Sequence, residues 1–457
     1  MSGVKVQNWK RSITYYANSV QRVESVDDIV RIVTDKARYP SPVRAKGSHH
    51  STTRCIVAED GTVIDVRRMN KILKIDRAAK TITMQPGVLH IDAARELEKH
   101  GLQFYVNVEL GNLTVGSGAC GGTKDASYFS TEEGRYEFGQ VAAYVKAIKV
   151  VRSDGSILEV TEADGELMEV MRSSYGMLGV VCEVTFHVKA IKPLAVEHVR
   201  YTLDEFADRL EALIAGNRSM MLYLFPFQDR VVVEYRSDGI GPIRSHSWQW
   251  WLRNLVWKTI GPGFGRLVTL LMPLRHVRAW LLDAFNWVSQ RILTSVIRGR
   301  STSPADQIIH YPPTAGFSAY TFSIWAFPRE EYPAAIRAYF KFCQDYFRDH
   351  GYRCDLLNVG YSIAQDRQSL FSYTRRGPAL TLDPVSTGSA GWDRFLAAYN
   401  DFCSQHNGRP LLNQTAAITA AQFKTAFGPE IAKFQVYRRK MDPDDRFYTP
   451  YFRQLFE

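Results

Sequence analysis

Apolar residues recur along the first 190 positions with two alternating periods. Behind Ser25, a residue suited to an N-cap, Val26, Ile29, Val30, Ile32 and Val33 follow helical spacing and predict a helix, and Val63 to Val66 reads as a strand. Thr81 to Met84 predicts another strand, Ile91 to Gly101 an amphipathic helix closing on glycine, and Ala147 to Val151 a third strand. Asp154-Gly155 then supplies a hairpin turn before Ile157 to Val160. Strands and helices thus alternate in two small lobes, about residues 1–70 and 71–192, and a second unit starts near Lys192-Pro193. No repeat or low-complexity tract interrupts the chain.

Two loops depart from these periods. Pro42-Val43-Arg44-Ala45-Lys46-Gly47-Ser48-His49-His50-Ser51 puts a donor-rich turn after a strand: Gly47 lets the backbone approach a ligand, and Ser48 and Ser51 offer hydroxyls. Alone, the paired histidines read more readily as solvated bystanders than as ligands. The second loop, Glu109 to Thr123, carries five glycines between Gly111 and Gly122, a density that predicts neither helix nor strand. A plain linker is the bland alternative, but Leu113, Thr114, Val115, Ala119 and Cys120 are suited to packing. The run lacks the Gly-x-Gly-x-x-Gly order of a Rossmann site, and no P-loop occurs, so a nucleotide site of another kind is implied.

These loops, with Gln85-Pro86-Gly87-Val88 between them and Ser174 to Thr185 after them, resemble the FAD-binding domain of the vanillyl-alcohol oxidase family, also called PCMH-type after p-cresol methylhydroxylase. The segment Arg438 to Phe447 is similar to the closing segment of the aldonolactone and alditol oxidase branch. The resemblance implies an α+β fold: a two-lobed FAD-binding domain over 1–192, a substrate domain over 193–436, and a closing segment 437–457 that returns to the FAD domain. FAD is the implied cofactor. Its implied contacts are Lys46, Gly47, Ser48, His49, His50 and Ser51 in the first loop, Val115, Gly116, Ser117, Gly118, Cys120, Gly121 and Thr123 in the second, and Gly179 and Val181 beyond. His50 holds the position of the histidine that in many relatives bonds covalently to the flavin, while His49 stands where the family has glycine.

The donor side implied by the resemblance is altered. Ile324-Trp325-Ala326-Phe327-Pro328-Arg329-Glu330 and Arg409-Pro410-Leu411-Leu412-Asn413-Gln414 keep the frame of the alditol oxidase wall, but Ile324 replaces its glutamate and Gln414 its lysine. Leu411 and Leu412 replace histidine and tryptophan. Gln414, Cys120 and Trp325 are the candidate catalytic residues; Gln414 donates a hydrogen bond without relaying charge, and a shift of alignment leaves Lys440 to supply the cation. An aldonolactone or alcohol oxidase that transfers hydride to flavin and electrons to oxygen or a redox carrier is the first reading. A membrane-associated enzyme acting on a lipid-linked sugar or a sterol-like substrate is the second, and a flavin-carrying interaction protein without catalysis the third.

Composition adds one further feature. A chain of 457 residues with 45% hydrophobic content supports two or more cores, and its six cysteines form no Cys-x-x-Cys pair or metal-ligand pattern, so free thiols and no metal are expected. The amino terminus shows no apolar run of signal length, which predicts a cytoplasmic protein. The net charge of +10 is concentrated in 244–300, which holds nine Lys or Arg, one acid (Asp283) and six of the nine tryptophans. Its apolar stretches are too short to span a bilayer, and tryptophan mixed with basic residues predicts helices lying on an anionic membrane, at the inner face. An oligomer interface or a core helix pair is the alternative; nucleic acid is not expected, because no RNA-binding motif appears.

Overall fold

Ser25 caps the first helix as its spacing predicts. In the computed structural model, which describes residues 3–244, 248–298, 301–312 and 318–457, the Ser25 side chain accepts from the Asp28 amide, and helix Val26–Thr34 buries Ile29, Ile32 and Val33. That face packs on a three-stranded parallel sheet ordered Ser19–Arg22, Thr62–Asp65, Val43–Lys46. The central strand is buried at every residue, as a parallel strand covered on both faces must be. An amino-terminal hairpin, Val4–Gln7 with Thr14–Ala17, closes the other side.

The second sheet is antiparallel and organised on the long strand Val180–Ala190. Val145–Val151 pairs with one of its edges, and Thr81–Met84 and Leu102–Phe104 pair with successive parts of the other. Buried and half-buried residues alternate along it, the signature of a sheet with one face on the core. Helix His90–Lys99 covers that face and ends at Gly101, whose φ of 72° is the left-handed conformation that suits glycine there. One expectation fails: the glycine-rich run includes a short helix, Val115–Cys120. Its glycines serve close packing, since a Cβ on Gly116 would lie 2.7 Å from Pro86 Cβ, and one on Gly118 would lie 3.2 Å from Leu113 and Val141.

A third, seven-stranded antiparallel sheet follows from Leu194 onward, in the order Leu194–Thr202, Arg230–Asp238, Ser219–Phe225, Asn358–Ile363, Ala379–Leu382, Trp325–Pro328, Arg409–Pro410. Ser219–Phe225 is buried along its whole length. Helices Leu203–Ile214, Tyr332–His350 and Trp392–Gln405 build an aromatic core over it, with Phe342 stacked on Phe402 at 5.1 Å. Between Asp238 and Thr321 the chain forms the helices Trp248–Leu255, Gly261–Leu271 and Arg275–Ile297, the first two joined by a π turn over Val256–Ile260. Positions 245–247 and 299–300 of the basic segment lie outside the described residues. In this segment Trp250 and Arg253 are buried in the body of the protein, whereas Trp248, Trp251 and Trp280 are exposed. Among the described residues, no helix is long and apolar enough to cross a membrane. All six cysteines are buried and free.

The carboxyl-terminal residues return to the first lobe. Arg446, 1% exposed, donates to the carbonyls of Ile32 (2.8 Å) and Val33 (3.0 Å) and to Ser41 Oγ (3.0 Å), and its own carbonyl accepts from Val43 N–H at 2.8 Å. Removing the guanidinium leaves buried carbonyls unpaired, at about 1–3 kcal/mol each. Arg446→Met is therefore expected to destabilise the protein by roughly 2–5 kcal/mol in urea unfolding; a midpoint unchanged from wild type would contradict this anchoring role.

Candidate active site

Gly47 ends the strand Val43–Lys46 and touches the second loop. A Cβ there would lie 2.2 Å from Thr114 Oγ1, so only glycine permits the two loops to meet. Thr114 Oγ1 in turn shares a hydrogen bond with Ser117 Oγ at 3.0 Å, and Val115 N–H and Gly116 N–H donate to Val88 and Pro86 carbonyls. The fourth segment joins through Arg44, whose buried guanidinium donates to the carbonyls of Tyr175 (2.5 Å) and Gly176 (3.0 Å), and through Tyr175 N–H, which donates to the Cys120 carbonyl. Tyr175 and Gly176 both have positive φ, so this turn is held by its partners.

These segments and the third sheet enclose one large cavity. Of the expected cofactor contacts, Gly47, Ser48, His49, His50, Ser51, Gly116, Ser117, Cys120, Gly121, Thr123, Gly179 and Val181 line it. Three do not. Lys46 points to Asp65, 3.8 Å away, because alternation along its strand turns it outward; Val115 is buried in the lobe core; Gly118 packs against Leu113 and Val141. The cavity wall also buries His50 Nε2 and Asn413 Oδ1 without protein partners, polar atoms that a polar ligand would satisfy. A wall of glycine, serine and threonine with these unpaired atoms fits FAD.

The two histidines face different ways. His49 adopts φ 57°, the conformation natural to the glycine it replaces, and its Nδ1 lies 3.2 Å from the Gln7 carbonyl. His50 stacks on Trp9 at 4.8 Å, and Trp9 in turn contacts the edges of Tyr311 and Tyr320. Burial, reinforced by neighbouring His49 and His310, pushes the His50 pKa down to about 3, so the ring is neutral. Trp9 carried no signal in the sequence, because it sits in an amino-terminal segment with no motif.

The remaining wall combines polar and apolar side chains, and the segment ending at Gln414 lies against the first loop. Gln414 lines the cavity and its Oε1 accepts from Thr52 Oγ1 at 3.2 Å; Ile324 and Leu411 also line it. Trp325 does not: strand alternation turns it into the core, 0% exposed, where its indole donates to Asn400 Oδ1 at 3.0 Å. Leu412 is likewise core, and Lys440 is exposed on helix Ala420–Met441, away from the cavity. Cys120 lines the cavity, but burial pushes its thiol up to about 11, which leaves it a neutral packing group.

One cation on the cavity wall is Lys124, directly after the glycine loop. Its ammonium lies 2.8 Å from Asp383 Oδ2 and 3.5 Å from the centroid of the Tyr361 ring, with both charged side chains almost fully buried. Burial lowers the pKa of Lys124 and raises that of Asp383. Asp383 Oδ1 is buried with no hydrogen-bond partner of good geometry; the adjacent Thr381 hydroxyl, which accepts from Tyr361 N–H at 3.1 Å, offsets the rise only in part. Glu109 joins the same wall and accepts from Arg253, from Arg236 (3.4 Å) and from Tyr361 OH (3.4 Å). Lysine after Gly-Gly-Thr gave the only sequence signal for this group, and its aspartate partner lies 259 residues away.

Burial of His49 has a measurable consequence. Its pKa is pushed down to about 4, so its neutral form contributes full stability above pH 6.5; as pH falls toward 4 the unfolded chain takes up a proton that the folded chain resists, and stability is lost. His49→Gly, which also relieves the left-handed strain, is expected to hold its thermal midpoint better than wild type between pH 6.5 and 5. Parallel pH profiles for the two proteins would contradict this.

Sequence comparison places two known families on this geometry. The FAD binding domain family matches residues 17–161, and the D-arabinono-1,4-lactone oxidase family matches 356–455. The L-gulonolactone oxidase of Mus musculus is 24% identical over 470 residues, covering 99% of this chain and 98% of that protein. The L-gulono-1,4-lactone dehydrogenase of Mycobacterium tuberculosis is 22% identical, covering 98% of each. The crystal structure of cholesterol oxidase from B. sterolicum superimposes with a TM-score of 0.78 at 12% identity, covering 99% of this chain and 96% of that one, a likeness of fold. With the cofactor loops assembled around one cavity and both families matched in order along the chain, the protein belongs to the PCMH-type flavoproteins and is an FAD-dependent oxidoreductase.

Proposed function

We propose that the protein oxidises the CH–OH group of an aldonolactone or related alcohol, with Lys124 and Asp383 handling the hydroxyl proton. The observation that carries this reading is the buried Lys124–Asp383 ion pair on the cavity wall, 2.8 Å between ammonium and carboxylate, with the Thr381 hydroxyl beside the carboxylate. FAD, when bound, supplies the hydride acceptor. Asp383, with its pKa raised by burial, is a better base than a solvated carboxylate, and Lys124 offsets negative charge on the donor oxygen as its proton leaves. Gln414 offers an amide to the cavity beside the first loop, where its Oε1 accepts from Thr52 Oγ1. Phe322, Ile324 and Val385 line the same cavity, so its wall also offers apolar surface to the donor. Electrons then pass to oxygen or to a redox carrier.

Anaerobic mixing with L-gulono-1,4-lactone or D-arabinono-1,4-lactone should bleach the flavin absorbance. Lys124→Met is expected to slow this by about 10²-fold or more, the scale of a lost proton-transfer or charge-stabilising group, and Gln414→Ala by less. Bleaching at the wild-type rate in Lys124→Met would remove that residue from the reaction, and no bleaching of the wild-type flavin by lactones or alcohols would overturn the reading.

His50 is also proposed to carry the flavin covalently. It is a neutral imidazole on the cavity wall, packed against Trp9 and with Nε2 unpaired. Acid-precipitated wild-type protein should form a yellow pellet, and His50→Ala should leave the colour in the supernatant. A yellow pellet from His50→Ala, or a colourless one from wild type, would reject the linkage.

A further inference from the structure

The helices between Trp248 and Ile297 meet the body of the protein through one face. Arg253 reaches Glu109 and the Gln307 carbonyl, Trp250 is buried, and Trp257 stacks on Tyr223 at 5.9 Å. The other face is open and apolar: Leu270 is 81% exposed, Leu274 69%, Trp280 67% and Trp251 62%. Single exposed apolar residues need no explanation, but here they fall on three consecutive helices and, at Leu274, on the link before the last. Trp280, Val288 and Ile292 of the long helix also border an apolar groove whose other wall includes Leu252 and Phe264. This groove shares Val256, Phe285, Ser289 and Leu293 with the flavin cavity, so the exposed face is the outer side of the cavity roof.

Charge identifies what covers this face. Among the described residues, no carboxylate lies within ion-pair distance of Lys258, Arg275, Arg278 or Arg291. The one acid of the segment, Asp283, is taken by Arg353 at 2.9 Å from outside it. A second copy of the chain would set one basic segment against another, which opposes self-association through this face. An anionic bilayer supplies both an apolar interior for Trp251, Leu270 and Trp280 and a negative surface for the arginines, and tryptophan favours the boundary between them. None of these helices is long and apolar enough to cross a membrane, so a bilayer would meet them along its surface. We propose that this helical face docks the enzyme on an anionic lipid surface. Docking does not depend on which alcohol the flavin oxidises.

Co-sedimentation of the full-length holoenzyme with vesicles tests this. Vesicles of phosphatidylcholine mixed with phosphatidylglycerol should pellet the protein at low salt at least tenfold better than phosphatidylcholine alone, and high salt should release it. The triple variant Trp251→Glu, Leu270→Glu, Trp280→Glu, checked for its flavin spectrum and thermal midpoint, is expected to lose at least tenfold in bound fraction. Should the triple variant not fold, Trp280→Glu alone serves, read by loss of the blue shift in tryptophan fluorescence that mixed vesicles are expected to cause in wild type. Protein that stays in the supernatant with anionic vesicles at low salt overturns the proposal. So does vesicle binding unaffected by the variants, or a dimer that the variants dissociate in a wild-type protein that binds no vesicles.

Discussion

Arg236 has no exposure to solvent, and the arrangement of the active site depends on how its charge is met. Its Nε donates to Glu234 at 2.6 Å, its Nη1 to both oxygens of Asp125, and its Nη2 to Glu109. Asp125 and Glu109 flank the glycine loop, Glu234 shares the strand Arg230–Asp238, and Arg253 of the helical insertion meets Glu109 from the other side. A buried guanidinium without these carboxylates would be costly, as would the carboxylates without it. One network therefore locks the cofactor loop, the third sheet and the cavity roof in a single register. Lys124, next to Asp125, is placed against Asp383 by the same lock.

The network also sets the protonation of the site. Glu109, Asp125, Glu234 and Asp383 face Arg236, Arg253 and Lys124, and burial raises Asp125 to about 6 despite the opposing pull of Arg236. Burial raises Asp125 and Asp383 alike, so these two carboxylates take up a proton more readily than carboxylates in water. This is the setting in which a buried Asp383 can accept a proton from a donor hydroxyl.

Local features of the fold were legible in the sequence because local physics decides them. Ser25 as a cap, the turn at Gly155 and the stop at Gly101 stand where the residues predict them. The glycine run was misread in one respect, because the demand for close packing at Gly116 and Gly118 is set by Pro86, Leu113 and Val141 and not by propensity. Trp325 was misplaced by one step of strand alternation, the error that a one-residue uncertainty of register produces. Lys124 with Asp383, and Trp9 with His50, were out of reach, since each pair joins segments that only the tertiary fold brings together.

The central claim is that Asp383 takes the donor proton, and the pH dependence of anaerobic flavin reduction tests it most directly. Reduction by an aldonolactone should fall on the acid side with an apparent pKa above the ordinary carboxylate range, and Asp383→Asn should lose both the rate and that acid limb. An Asp383→Asn enzyme that reduces its flavin at the wild-type rate with the wild-type pH profile would contradict the account.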